Sequence, residues 1–243
     1  MRGIGARVVL VLMAAAPAFA QQAPPSNPDR NFLETIVDDV RSVVSEESAT
    51  LLTVASAFAL LASPFDETLT YSASCSTFLK TTFGGWARVA GQEWMLGSGA
   101  VATYLIGRAT NKPKITLVGA DLVESQLLSG AATFALKHSI RRGRPDGERR
   151  SFPSGHAAGT FAAAAVVQRH FGVKAAIPAY GAAALISGAR LQANSHYPTD
   201  IILGAAIGVL SGRAATFELG RRRVSLSPAV AEGGGLLIGG SIQ

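Results

Sequence analysis

Apolar side chains recur at helical spacing from residue 32 onward. Phe32, Leu33, Ile36, Val37, Val40, Val43 and Val44 fall on one face, and Asp38, Asp39, Arg41 and Glu46 on the other. This alternation predicts an N-terminal amphipathic helix, with Asn27 and Pro28 as its start signal. Its apolar stripe suits packing on a bundle better than lying on a membrane. Six apolar blocks follow, at roughly 49–63, 94–107, 115–136, 157–168, 175–189 and 201–217. They are too long for strands and rich in Ala, so they read as helices. Pro64, Pro113, Pro145, Pro178 and Pro198 fall near block ends, where proline is expected. No internal repeat is visible. From Arg221 the pattern changes to three arginines, Val-Ser-Leu-Ser and a Gly-rich stretch, which reads as a short ribbon or a loose tail.

Most blocks are shorter than the roughly twenty residues that a bilayer crossing needs. The third is long enough but carries Asp121 and Glu124, which are costly in lipid. The pattern therefore leans towards a compact bundle that is soluble or peripheral rather than fully embedded. The start of the chain differs again. Arg2 and Arg7 precede an apolar run from Val8 to Ala16, and Ala18-Phe19-Ala20 offers small residues before Gln21. That order predicts a signal peptide over 1–20, cleaved after Ala20, with an uncleaved anchor as the alternative. Export to the periplasm or cell envelope follows. Residues 21–29 read as a spacer, 30–220 as one helical domain and 221–243 as the tail.

Hydrophobic residues make up 48% of the 243 and charged residues 16%. With so much Ala and Gly among them, the helices should be thin-sided and closely packed. The net charge of +6 favours anionic partners. Aromatics are only 7% and are not interleaved with basic residues, which argues against nucleic acid. Cys75 is the single cysteine, so neither an internal disulfide nor a thiolate metal cage can form.

Three segments at helix ends carry candidate chemistry: Lys137 to Pro145, Phe152 to His156 and Arg190 to Asp200. Lys137, Arg144 and Arg190 are fixed cations able to grip phosphate oxygens. Ser154 reads as a helix cap, and Gly155 lets the backbone approach an anion at a helix N-terminus. Together these residues describe a socket for a tetrahedral oxyanion. His156 and His196 are imidazoles able to carry a proton or attack. Asp200, four residues after His196, is placed to reach its far ring nitrogen. Taken singly, each feature has an ordinary structural explanation, such as a cap, a solvated arginine loop or a local hydrogen bond. In this order they point to one site.

The three segments resemble the signature motifs of the type 2 phosphatidic acid phosphatase and vanadium haloperoxidase superfamily. Lys137 to Pro145 fits the first motif, a Lys, six residues and Arg-Pro. Pro153 to His156 fits the second, Pro-Ser-Gly-His. Arg190, His196 and Asp200 fit the third, with Ala189 standing where the family has Ser. The resemblance implies an all-α fold with a six-helix core bundle and the site at one end. It implies that His196 attacks phosphorus, that His156 protonates the leaving group and that Asp200 supports His196. Lys137, Arg144, Ser154, Gly155 and Arg190 would bind the phosphate. No metal or other cofactor is implied. Vanadate would act as an inhibitor, or as the cofactor of a haloperoxidase in the alternative reading. The implied substrate is a phosphorylated or pyrophosphorylated lipid or a small phosphoester, and a membrane surface stays open as a partner. A non-catalytic anion- or envelope-binding protein is the reading from another class. His138 and His170 match no motif and read as surface or loop residues.

Overall fold

The computed structural model describes residues 46–76, 82–218, 224–230 and 236–242. The signal segment, the spacer and the amphipathic helix expected before Glu46 lie outside the described residues.

Eight α-helices are described. The first, α1, runs Glu46–Ala62 and passes through a 3-10 turn at Ser63–Phe65, where Pro64 breaks the α-helical ladder, into α2, Asp66–Ser74. Asp66 and Glu67 open α2 and complement its positive end. Then come α3 (Thr82–Ala90), α4 (Glu93–Ala109) and α5 (Pro113–Ile140). The bundle is completed by α6 (Gly155–Phe171), α7 (Val173–Gln192) and α8 (Pro198–Glu218). The six apolar blocks correspond to α1, α4, α5, α6, α7 and α8. Helices α2 and α3 carry no apolar run in sequence, because Asp66, Glu67 and Thr68 in one and Gly84, Gly85 and Arg88 in the other interrupt it.

Local chemistry explains most boundaries. Pro113 and Pro198 start α5 and α8, where a missing amide hydrogen costs nothing. Arg141 ends α5 in the left-handed conformation, with φ 52°. Ser154 caps α6, its hydroxyl accepting from the Ala157 amide at 3.4 Å. Pro178 departs from the expectation that it marks a block end. It lies inside α7, one turn past the start, and removes one backbone donor there.

Helix α6 is the centre of the bundle and packs on α8, α7 and α5. Helix α5 also packs on α4 and α8, and α1 on α8. The α6–α8 contact is close because Gly204, Gly208 and Gly212 lie one turn apart on α8. A Cβ added at Gly204 would meet the Ser154 carbonyl at 2.6 Å, and one at Gly212 the Ala162 carbonyl at 2.5 Å. Facing them are Ala157, Ala158, Ala162 and Ala165 of α6, all buried. Small side chains thus bring the two backbones together, as the Ala- and Gly-rich composition anticipates. A larger cluster around Phe161, Tyr180 and Val209 fills the space between α6, α7 and α8.

The stretch Ser48–Ser74 is, among the described residues, the one helical run long and apolar enough to cross a membrane. Leu60, Leu61, Phe65 and Tyr71 on it are exposed. The tail forms a ribbon, with β1 (Val224–Val230) antiparallel to β2 (Leu236–Ile242) and Val224 opposite Ile242.

His170 corrects its reading as a surface or loop residue. It belongs to α6, and its Nε2 lies 2.6 Å from the carboxylate of buried Asp121 on α5. His138 is partly exposed on the last turn of α5, its ring 4.0 Å from that of Phe134.

Candidate active site

The site forms where the C-terminal ends of α5 and α7 meet the N-terminal ends of α6 and α8. Its frame is backbone. The Ser154 amide donates to the Asp200 carbonyl at 3.0 Å, which locks the start of α6 onto the first turn of α8. The Asp146 amide donates to the Asn194 carbonyl at 3.1 Å, tying the loop after α5 to the loop before α8. Within that first loop the Ser151 amide bonds the Arg142 carbonyl at 2.8 Å, and Gly143 pairs with Arg149. The Phe152–Pro153 peptide is cis. These contacts bring the three sequence segments together although they are spread over 64 positions.

His196 is only 1% exposed and Asp200 is fully enclosed. The distance from His196 Nδ1 to Asp200 Oδ2 is 3.7 Å. The expected pairing of the far ring nitrogen with the carboxylate is therefore present as a close charge contact, longer than a hydrogen bond. Among the described residues, His196 Nδ1 has no hydrogen-bond partner. Asp200 itself is well held. Its Oδ1 accepts from Arg142 Nη1 at 2.8 Å, and its Oδ2 accepts from the Tyr197 amide at 2.8 Å and from the Ser151 hydroxyl. Asp200 is the third residue of α8 and returns a bond to the amide just before the helix, the carboxylate half of a capping box.

The charges follow from this geometry. Burial lowers the pKa of His196, and the positive fields of Lys137 and Arg190 add to the effect against the pull of Asp200. Burial alone would raise the pKa of Asp200. The contacts with His196, Ser151, Tyr197 and Arg142 outweigh it and hold the group below the ordinary carboxylate value. A depressed native pKa means that Asp200 stabilises the fold at neutral pH and loses that contribution as pH falls through the native value. Lys137 is pushed down, first by burial and then by the neighbouring charge of Arg144.

Lys137 and Arg190 lie within the field of His196, and Arg144 lies beside Lys137. Lys137 Nζ donates to the Arg150 carbonyl at 3.2 Å, and Arg144 pairs with Glu148 at 2.5 Å. Gly155 sits at the start of α6, and a Cβ there would lie 2.5 Å from Glu93 Oε1 and 4.0 Å from Lys137 Cε. Gly91, just before α4, packs against His156, where an added Cβ would lie 2.9 Å from its Cδ2. Ala189 is completely buried beside Arg190, so the family's hydroxyl position is filled by a methyl group in the core. Among the described residues, no group of three or more His, Cys, Asp or Glu side chains is arranged to hold a metal ion.

Four participants escape the sequence segments or pass unremarked within them. Arg142 reads as one of several loop arginines, and Ser151 has no sequence signal of its own. Asp66 of α2 reaches the site from more than 130 positions away, through Arg142 and Thr199. Glu93 reaches it from the first turn of α4. Only long-range packing reveals the last two.

Comparison with known proteins agrees with this architecture. Residues 146–222 match the PAP2 superfamily model, a span that starts directly after Pro145 and carries the second and third segments. Over 89 residues the chain is 36% identical to a lipid A 1-phosphatase from Porphyromonas gingivalis. That match covers 35% of this chain and 20% of the relative, so it spans about a fifth of the relative's length. The crystal structure of Aquifex aeolicus LpxE superposes with a TM-score of 0.53 at 22% identity, covering 62% of this chain and 93% of that one. The likeness to LpxE is one of fold, a helical bundle of the same type. The matched segment makes residues 146–222 similar to the PAP2 superfamily, and the helical bundle around them is similar in fold to that of LpxE.

Proposed function

We propose that this chain is a phosphatase that hydrolyses phosphate esters or pyrophosphates on lipids through a phosphohistidine, without a metal. The observation that carries the reading is the convergence of Lys137, Arg144, Arg190 and the N-terminus of α6 around a buried His196 backed by Asp200. In this reading the three cations and the amides following Ser154 hold the phosphoryl oxygens and stabilise the charge of the transition state. His196 Nε2 attacks phosphorus while Nδ1 keeps its proton towards Asp200. His156 gives a proton to the departing oxygen and then takes one from the water that hydrolyses the phosphohistidine.

Lipid is the favoured substrate because the apolar run Ser48–Ser74 contains Asp66, which is bonded to the site through Arg142. A lipid phosphate delivered along that run arrives beside the socket. The related P. gingivalis protein is a lipid A 1-phosphatase, which suggests a phosphorylated saccharolipid as the first substrate to try. A place in the cell envelope, reached by the signal segment over 1–20, completes the reading.

A parallel assay of the purified protein tests it. The substrates are a lipid A-type 1-phosphate, phosphatidic acid, a polyprenyl pyrophosphate and an aryl phosphate, with bromide, peroxide and vanadate as a separate arm. Phosphate release in the presence of chelator, without bromination, is the expected result. Bromination that needs vanadate would make the chain a haloperoxidase, and binding without turnover in any arm would make it an anion-binding protein.

The rate should be bell-shaped in pH. His196 must be neutral to attack, and burial with two neighbouring cations lowers its pKa, so the acid limb should fall below the ordinary imidazole value of 6.5. The alkaline limb reports loss of the His156 proton. Vanadate should compete with substrate, since it mimics five-coordinate phosphorus in the same socket. A flat profile from pH 5 to 9, or noncompetitive vanadate, would contradict the assignment.

A further inference from the structure

Asp200 is gripped from behind by a group that lies outside the three signature segments' defining residues. Arg142 places Nη1 2.8 Å from Asp200 Oδ1 and 2.6 Å from the Thr199 hydroxyl, while its Nη2 lies 2.7 Å from Asp66 Oδ2. Thr199 donates its hydroxyl to Asp66 Oδ2 at 2.6 Å and its amide to Asp66 Oδ1 at 3.1 Å. The Arg142 guanidinium also stacks over the Tyr197 ring at 4.2 Å. Asp66, Thr199 and Asp200 are all buried. Every oxygen of both carboxylates is therefore occupied, and the only slack contact is the 3.7 Å between Asp200 and His196.

We propose that Asp66, Arg142 and Thr199 form a positioning relay that fixes the place and the effective charge of Asp200 behind His196. The inference rests on His196 being the nucleophile. Three features favour a relay over a plain structural clamp. A guanidinium fork spans two carboxylates that a lysine could not bridge at these distances. Thr199 links the same pair by a second route and is adjacent to Asp200 in the chain. The relay also divides the charge of Arg142 between two anions, so that Asp200 keeps part of its own for the imidazolium that forms on attack. The other charges facing His196 and Asp200 are Lys137 from α5 and Arg190 from α7, with Arg144 and Glu93 beside Lys137. His156 opens the facing helix, α6. Asp66 itself is held by Arg142 and Thr199, so changes at Asp66 act first on these two residues.

The two ends of the relay make opposite predictions. Asp66→Asn leaves the Arg142 charge wholly on Asp200. Asp200 then supports the His196 cation less, and the acid limb of kcat/KM moves to lower pH. Arg142→Gln removes that charge, Asp200 acts more strongly, and the limb moves to higher pH. Both variants should lower kcat by about tenfold to a hundredfold, the usual scale for a group acting through another, with KM little changed because the phosphate cations are untouched. Arg142→Lys should not restore kcat, and Thr199→Val should behave as a milder Asp66→Asn.

The experiment measures pH profiles of kcat and kcat/KM for these variants on an aryl phosphate, with thermal melting alongside and phosphoryl labelling of His196 in the unaltered protein. Opposite displacements of the acid limb, seen in variants that melt cooperatively, are the expected result. Lower melting temperatures with unmoved limbs and unchanged kcat would reduce the network to a clamp between α2 and α8 and overturn the relay. Should Arg142→Gln fail to fold, Asp66→Asn and Thr199→Val decide by the same criterion. Absence of label on His196 in the unaltered protein would remove the nucleophile, and the relay with it.

Discussion

His196→Ala should lose turnover on every phosphoester, by a factor on the order of 10^6, and should carry no phosphoryl label, because its side chain is the proposed nucleophile. His156→Ala should behave differently. An aryl phosphate with a good leaving group departs without a proton, so this variant should still load phosphate onto His196. Hydrolysis of the adduct needs a base for the water, and that base is gone, so the label should persist. Steady-state turnover should fall by about 10^2- to 10^4-fold. The division of roles rests on the surroundings of the two rings. His196 is buried with Nδ1 turned to a carboxylate that is itself held by three donors. Asp200 is the neighbour that favours a ring becoming cationic on attack, against burial and the fields of Lys137 and Arg190. His156 opens α6, is only partly buried and packs against Gly91. Rapid quench with radioactive phosphate, followed by peptide mapping in alkali that preserves phosphohistidine, reads both outcomes. Label on His156, or equal label in His196→Ala, would show the roles to be reversed or the mechanism to be different.

The residues of this scheme are legible in sequence because each stands at a helix end, where residue type and spacing carry meaning. Pro198 starts α8, and Asp200 is thereby its third residue, close to both Tyr197 and His196. Ser154 before an Ala-rich run reads as a cap and is one. Asp66 offers no such signal. An acidic residue at the start of a helix is ordinary, and nothing in its neighbourhood points to a loop 76 positions later. Arg142 is hidden differently, among arginines that share its composition but not its partners. The same contrast holds for the fold. Long apolar runs such as 115–136 announce α5, whereas α2 and α3 depend on tertiary packing against α7 and have no periodicity strong enough to stand out. Pro178 shows the limit of the boundary rule, since near a helix start proline removes one donor and the helix continues.

Gly208→Val should strongly destabilise the bundle. Gly208 is the middle of the glycine row on α8, and a Cβ there would run into the Ala158 carbonyl and come within 2.9 Å of the Ala162 amide nitrogen. Those atoms belong to the backbone of α6, so no side-chain rotation relieves the clash. The two helices would have to separate, opening the contact that also holds Ser154 against Asp200. Overpacking of this kind costs about 3 kcal/mol or more when backbone must move. For a domain of this size that corresponds to a fall in Tm of roughly 10 °C. Gly130 on α5 provides the contrast, because a Cβ there meets nothing within 4 Å. Gly130→Ala should raise stability by about 0.5–1 kcal/mol, through helix propensity and a less flexible unfolded chain. Melting curves of the two variants, with phosphatase activity followed across the same temperatures, check both signs. Activity in Gly208→Val should fail at the temperature where the helices part, since the socket is built across the α6–α8 contact. An unchanged Tm in that variant would mean that α8 does not approach α6 as closely as the glycine row requires.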